Sequence, residues 1–383
     1  MTTTTTTRAT TTTRAIGRAE GSTSRARARG TRARANANAN ANAPVAKAGC
    51  VRVKIDELKS TCSNAIMGQG YDAQETKAIM EVLMYAQLRG NNQGIIKVTT
   101  NGLARAKDAV GMKIDTETTL SAHIDGGKQQ GMLVLNKATD LALSKAKANG
   151  FGIAGTCNTS TSTGALGYYC KKIADEGFIA IAMAQSPEFV APTGSKQAIF
   201  GTNPIGVGIP SKRGSMVLDM ATSAYSWFGL LEARTAGRSI PEGAAQDKDG
   251  VMTTDPNKAL EGGAIRPFDG GYKSSNLSLV VELLAGPLVG AAINNKLSTK
   301  NWGNLIFAID PKLLGNADFE EQAAFVMNRV KNAEKQPGVN EIYLPGERGD
   351  AVAAANEASG MIDVEVNLWN NLKKLSDEYK AKK

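Results

Sequence analysis

Apolar residues recur at helical spacing over residues 53–68, with Ile55, Leu58, Cys62 and Ile66 on one face and Gly68 at the end. Residues 72–88 repeat the pattern through Ile79, Val82, Leu83 and Ala86, opened by Asp72 with Glu75 three positions on, a capping box. Residues 133–148 and 163–176 predict two more helices, and 152–156 a strand between them. Short apolar runs at 179–184, 205–209 and 216–220 read as buried strands. Further on, 277–292 is strongly apolar and is expected to be buried. Residues 304–309 predict a strand, 319–333 a helix and 341–344 a strand. A last helix over 364–379 has Trp369 and Leu372 on its apolar side. Strands alternating with helices argue for a mixed α/β core.

The stretch 201–223, GTNPIGVGIPSKRGSMVLDMATS, sets two turn devices around two of those strands. Pro204 fixes its own φ and pushes Asn203 out of the helical region, which makes Gly201-Thr202-Asn203-Pro204 a turn. Asp219 interrupts the second strand, where a carboxylate is expensive unless something pairs with it. Thr222 and Ser223 supply hydroxyls where a helix is expected to start. Gly68-Gln-Gly70-Tyr-Asp-Ala73 matches G-x-G-x-x-A, but it follows a helix instead of a strand and so reads as a helix stop, not a dinucleotide loop. Asp247-Lys-Asp249-Gly250 opens like a calcium loop, then loses the spacing, and is read as a surface turn.

Composition separates the first 48 residues from the rest. They are nearly all Thr, Ala, Arg and Asn, with eight Arg and Lys47 against a single acid, Glu20. Such a segment cannot bury enough apolar surface to offset its ordering entropy. Basic, hydroxyl-rich and acid-poor, it reads as an organellar transit peptide, for the chloroplast stroma with the mitochondrial matrix as the alternative. The chain as a whole carries +9, yet beyond the leader 36 basic residues face 35 acidic ones. The high charge therefore gives no ground for a nucleic-acid partner. No apolar run approaches the ~20 residues of a membrane span. Four cysteines without C-x-x-C spacing and one histidine, His123, argue against a metal site. The expected organisation is a leader at 1–48, an N-terminal helical part at 49–125, a cofactor-binding α/β part at 126–295 and a completing α/β part at 296–383.

Several separated motifs, in order, resemble the malate/L-lactate dehydrogenase family: Gly201 to Pro204, Leu218 to Ser223, Ile240-Pro-Glu-Gly243, Thr253-Thr-Asp-Pro256, Val281-Glu-Leu-Leu-Ala-Gly286, Phe307-Ala-Ile-Asp310 and Leu344-Pro-Gly-Glu347. The resemblance implies a mixed-sheet, non-Rossmann α/β fold with helices at both ends. It implies hydride transfer between NAD or NADP and a small 2-hydroxy or 2-oxo acid, in a homodimer. It also assigns cofactor binding to Gly201, Thr202, Asn203, Leu218, Asp219, Met220, Ala221, Gly346 and Glu347, with Lys273 and Tyr272 in a glycine-rich loop.

At the catalytic end the chain departs from the family. Where the family has Arg-Gly-x-x-Ser-His-Gly-x-x-Arg, this sequence has Arg89-Gly90-Asn91-Asn92-Gln93-Gly94-Ile95-Ile96-Lys97. Gln93 stands for the proton-donating histidine, Asn92 for the serine and Lys97 for the carboxylate-anchoring arginine. Gln cannot deliver a proton, and Lys lacks the bidentate fork. Ser162 stands where a second family histidine is expected, before Gly164, and His123 matches neither position. Two readings follow: an oxidoreductase with altered catalytic residues Asn92, Gln93, Lys97 and Ser162, in which Lys97, Lys273 or Tyr272 with a depressed pKa replaces the histidine, or a pseudoenzyme acting as a scaffold.

Overall fold

Short strands, several of them alternating small and large apolar residues, build the central sheet of the computed structural model, which describes residues 47, 49–91 and 93–383. The leader, Lys47 apart, and Asn92 lie outside the described residues. The seven strands are β2 (Lys113–Glu117), β3 (Ser121–Asp125), β4 (Phe151–Thr159), β5 (Ile179–Ala184), β6 (Ile205–Ile209), β7 (Met216–Met220) and β11 (Trp302–Ile309). Their order is β2-β3-β4-β11-β5-β6-β7. Only β3 and β4 run parallel, joined by the helix α4 (Gly131–Asn149); the other neighbours are antiparallel. β1 (Cys50–Lys54) pairs antiparallel with β12 (Met361–Glu365), while β8 (Ala245–Gln246), β9 (Met252–Thr253) and β10 (Ala264–Ile265) form a small third sheet.

The two-residue period of β5 decides what covers each face. Ala180, Ala182 and Ala184 join the main core with α1 (Ile55–Met67), α2 (Ala73–Leu88), α4 and α5 (Leu166–Ala174). Their small side chains let α5 settle close to the sheet. Ile181 and Met183, on the opposite face, meet Val281, Leu284 and Ala285 of α8 (Tyr272–Ala285). The sheet is thus a mixed one covered on both faces, with helices at both chain ends, including α10 (Phe319–Lys331), α11 (Glu347–Ser359) and α12 (Val366–Lys380). The short helices α3 (Ile96–Thr99), α6 (Trp227–Thr235), α7 (Pro256–Leu260) and α9 (Lys296–Thr299) lie in the connections.

The capping box of Asp72 and Glu75 forms as expected, and Gly68 closes α1. Several expectations need correction. The first helix starts at Ile55, because Val51 and Val53 alternate along β1 and pair with a strand over 300 residues away. No strand forms over 341–344, which has no partner strand. Thr222 and Ser223 start no helix: α6 begins at Trp227, capped by Ser226, which accepts from the Gly229 N–H. Nor is 277–292 wholly buried, since Leu279, Val280, Leu283 and Leu288 are exposed.

Candidate active-site cleft

A cleft of about 510 Å³ opens where the 159–165 segment, the end of β5, the Gly201 to Pro204 turn and α6 converge. Gln93, Ser162, Thr202, Asp219 and Ala221 all line it. Lys97 lies beneath its wall on α3, fully buried. Its Nζ donates to Ser162 Oγ at 3.2 Å and sits 3.6 Å from the centroid of the Phe228 ring. No carboxylate among the described residues offsets its charge, and burial alone pushes the amine down to about 7. Ser162 Oγ also accepts from the Gly164 N–H at 3.1 Å, which leaves its own O–H free to donate into the cleft. Gln93, its backbone N–H bonded to Asn91 Oδ1, presents a carboxamide to the same space.

Asp219 lies on the edge strand β7. Its Oδ2 accepts from the Gly167 N–H at 2.8 Å, in the first turn of α5, whose N-cap Ala165 has no side chain to do this. The partner required by a carboxylate within a strand is therefore a helix N-terminus. The residue is open to the cleft on one side, while its carboxyl is packed against Gly167 at the start of α5. Loss of solvation at the carboxyl pushes it up to about 6, against the lowering effect of the Gly167 bond.

The Gly201 to Pro204 turn is held from below by a buried polar network. Asn203 has φ of 39°, outside the right-handed region as Pro204 requires, and donates through Nδ2 to Glu282 Oε2 at 2.9 Å and to the Ser278 carbonyl at 3.1 Å. Glu282 Oε1 accepts from Lys296 Nζ at 2.6 Å and Gln185 Nε2 at 2.8 Å. Thr222 ties the second motif to the first, its N–H donating to the Thr202 carbonyl and its Oγ1 to that of Asn203. Gly201 packs so closely that a Cβ there would lie 2.2 Å from Ser186 Oγ. The sequence reading missed Gln185, Glu282 and Lys296. A glutamate inside the apolar run 281–286 was the available signal.

Other expected site residues lie elsewhere. Leu218 and Met220 are in β7 beside Asp219. Lys273 and Tyr272 are not in a glycine-rich loop but in the first turn of α8, exposed and outside the cleft lining, because Ser274, Ser275 and Asn276 let the helix propagate where glycines would have stopped it. Gly346 packs against the backbone of Val217, and Glu347 is engaged by Lys331 at 2.5 Å and Arg213 at 3.3 Å. His123 bonds through Nε2 to the Val289 carbonyl at 2.9 Å, away from the cleft.

The cleft wall has room for an amide-bearing ligand. Gln185 lines it, and with Nε2 committed to Glu282 and the Ala292 carbonyl, its buried Oε1 has no partner. An acceptor of this kind matches the carboxamide donor of a nicotinamide ring.

Residues 53–373 match the family model described as malate/L-lactate dehydrogenase. The chain is 34% identical over 338 residues to the malate/(S)-sulfolactate dehydrogenase of Methanothermus fervidus, covering 84% of this chain and 96% of that one. It is 27% identical over 315 residues to the NAD(+) ureidoglycolate dehydrogenase of Escherichia coli, covering 78% and 89%. The crystal structure of malate dehydrogenase from Entamoeba histolytica superposes with a TM-score of 0.81 at 25% identity, over 86% of this chain and 98% of that one.

Proposed function

The chain belongs to the malate/L-lactate dehydrogenase family, and on that footing we propose that it is an oxidoreductase acting on a small 2-hydroxy or 2-oxo acid with NAD or NADP, in which Lys97 replaces the missing histidine as proton donor. The observation that carries this reading is the buried, unpaired Lys97 amine bonded to the cleft-lining Ser162.

When bound, the nicotinamide cofactor supplies the hydride. Thr202, Asp219 and Ala221 line the side of the cleft that the family resemblance assigns to it, with Gly201, Asn203, Leu218 and Met220 behind them, and Gln185 supplies a free acceptor there. The proton comes from this chain. Lys97 does not reach the cleft itself, so Ser162 passes the proton on: Oγ accepts from Nζ while its own hydrogen goes to the substrate oxygen. Gln93 donates a hydrogen bond that orients the acid but adds no proton. An amine titrating at about 7 is suited to this work at neutral pH. Reduction uses its charged form and weakens as pH rises through about 7; oxidation uses the neutral form and strengthens.

We also propose a homodimer, supported by the exposed Leu279, Val280 and Leu283 on α8, and import of the chain into the chloroplast stroma through its leader. The functional test is calorimetry of NADH and NADPH binding together with the pH profile of 2-oxo-acid reduction. Ser162→Ala should leave cofactor binding unchanged and lower kcat by on the order of 10²-fold. Cofactor binding without reduction of any 2-oxo acid at any pH would establish the scaffold reading instead, and no binding at millimolar cofactor would remove both.

A further inference from the structure

The cleft wall beside Lys97 and Ser162 is aromatic. Phe228 covers the Lys97 amine, and its neighbour on α6, Trp227, stacks on Phe189 with 3.8 Å between ring centroids and 12° between planes. Leu231 continues that helix face, and Leu297 and Trp302 join the same lining from β11 and the segment before it. Positive charge, by contrast, is scarce. Lys300 is the one cation among the described lining residues. Lys97 is sealed under Phe228 with its amine on Ser162, so it cannot grip a carboxylate as an arginine fork would.

One cation suffices for one carboxylate. A second acidic group entering this wall would lose its water and meet no countercharge. A ring or branched chain in the same place would gain apolar and aromatic contact. We propose that the substrate carries one carboxylate and an aromatic or branched apolar side chain that packs on Phe228 and the Phe189–Trp227 stack. The proposal rests on the hydride-transfer reading above for the 2-oxo or 2-hydroxy acid, and on the cleft lining for the side chain.

Binding tests this without requiring turnover. The full chain, saturated with NAD(+), is titrated by calorimetry with phenylpyruvate, 4-methyl-2-oxopentanoate and oxaloacetate, and kcat/KM for each is measured with NADH and NADPH. Phenylpyruvate should bind at least tenfold more tightly than oxaloacetate, a ratio within reach of one apolar pocket. Trp227→Ala should erase most of that preference without changing cofactor affinity, and Trp227→Phe should retain it. If the cofactor does not bind, the same titrations on the protein alone decide: a phenylpyruvate preference upholds the side-chain class while hydride transfer falls. Oxaloacetate binding as tightly as phenylpyruvate, or none of the acids binding at millimolar concentration, overturns the proposal, and in cofactor-bound protein leaves the oxidoreductase reading standing.

Discussion

Replacing Lys97 by methionine removes an amine that folding encloses without a counterion. Burial moves this group from the ordinary 10.5 to about 7. Each tenfold change in proton affinity corresponds to about 1.4 kcal/mol, so holding the charged form in the native state costs about 5 kcal/mol. The unfolded lysine keeps its proton up to near pH 10.5, whereas the native one releases it near 7. Between those values the unfolded chain binds more protons, and stability rises with pH, by up to about 1.4 kcal/mol per unit. Below pH 6 the penalty is fully present; by pH 10 most of it is gone. Lys97→Met keeps a similar stem against Phe228 and has no such dependence. Urea unfolding followed at pH 6, 7, 8, 9 and 10 for both proteins gives the difference directly, with the titration of all other groups cancelling. The variant should be the more stable by several kcal/mol at pH 6, and the gap should close toward pH 10. A gap that stays constant over that range refutes the argument, because the native amine would then be charged throughout.

Glu282→Ala leaves Lys296 buried without its partner and should cost about 3–5 kcal/mol in urea unfolding, whereas Glu282→Leu with Lys296→Met should recover most of it. Gly201→Ala drives a Cβ toward Ser186 Oγ and the Ser186 carbonyl, and a loss of about 1–3 kcal/mol is expected, read as a lowered urea midpoint. Light scattering at micromolar concentration should give twice the chain mass; a monomer mass removes the dimer. Mass spectrometry of the mature protein should find its N-terminus near residues 45–52, and a mature chain starting at Met1 or Thr2 would contradict import.

Strands β5, β6 and β7 were legible because their pattern is local: short, mostly apolar runs of five or six residues between turn residues. β1 was not, since its partner lies in β12, where Arg52 meets Asp363 across 311 positions of sequence. In the cleft, Gln93, Ser162, Thr202 and Asp219 could be placed together by motif alone. Lys97 showed only a charge at an arginine position. What depresses its pKa is enclosure under Phe228, a residue of a distant helix that no spacing rule connects to it. Lys296 was hidden for the same reason: within the polar run Asn294-Asn295-Lys296 it reads as surface, and only the fold brings Glu282 to it.

Seven strands in an open sheet leave two rims, and both are guarded. On one side β2 is exposed along its whole length, and Lys113, Asp115 and Glu117 put a charge at every second position. On the other, the turn before α11 lies across β7, with Gly346 so near the Val217 carbonyl that a Cβ would come within 2.9 Å. An incoming strand meets charge at one rim and occupied backbone at the other. Strand addition between copies is thereby hindered, and a variant that lifts the Gly346 turn should polymerise by that route before it loses its core.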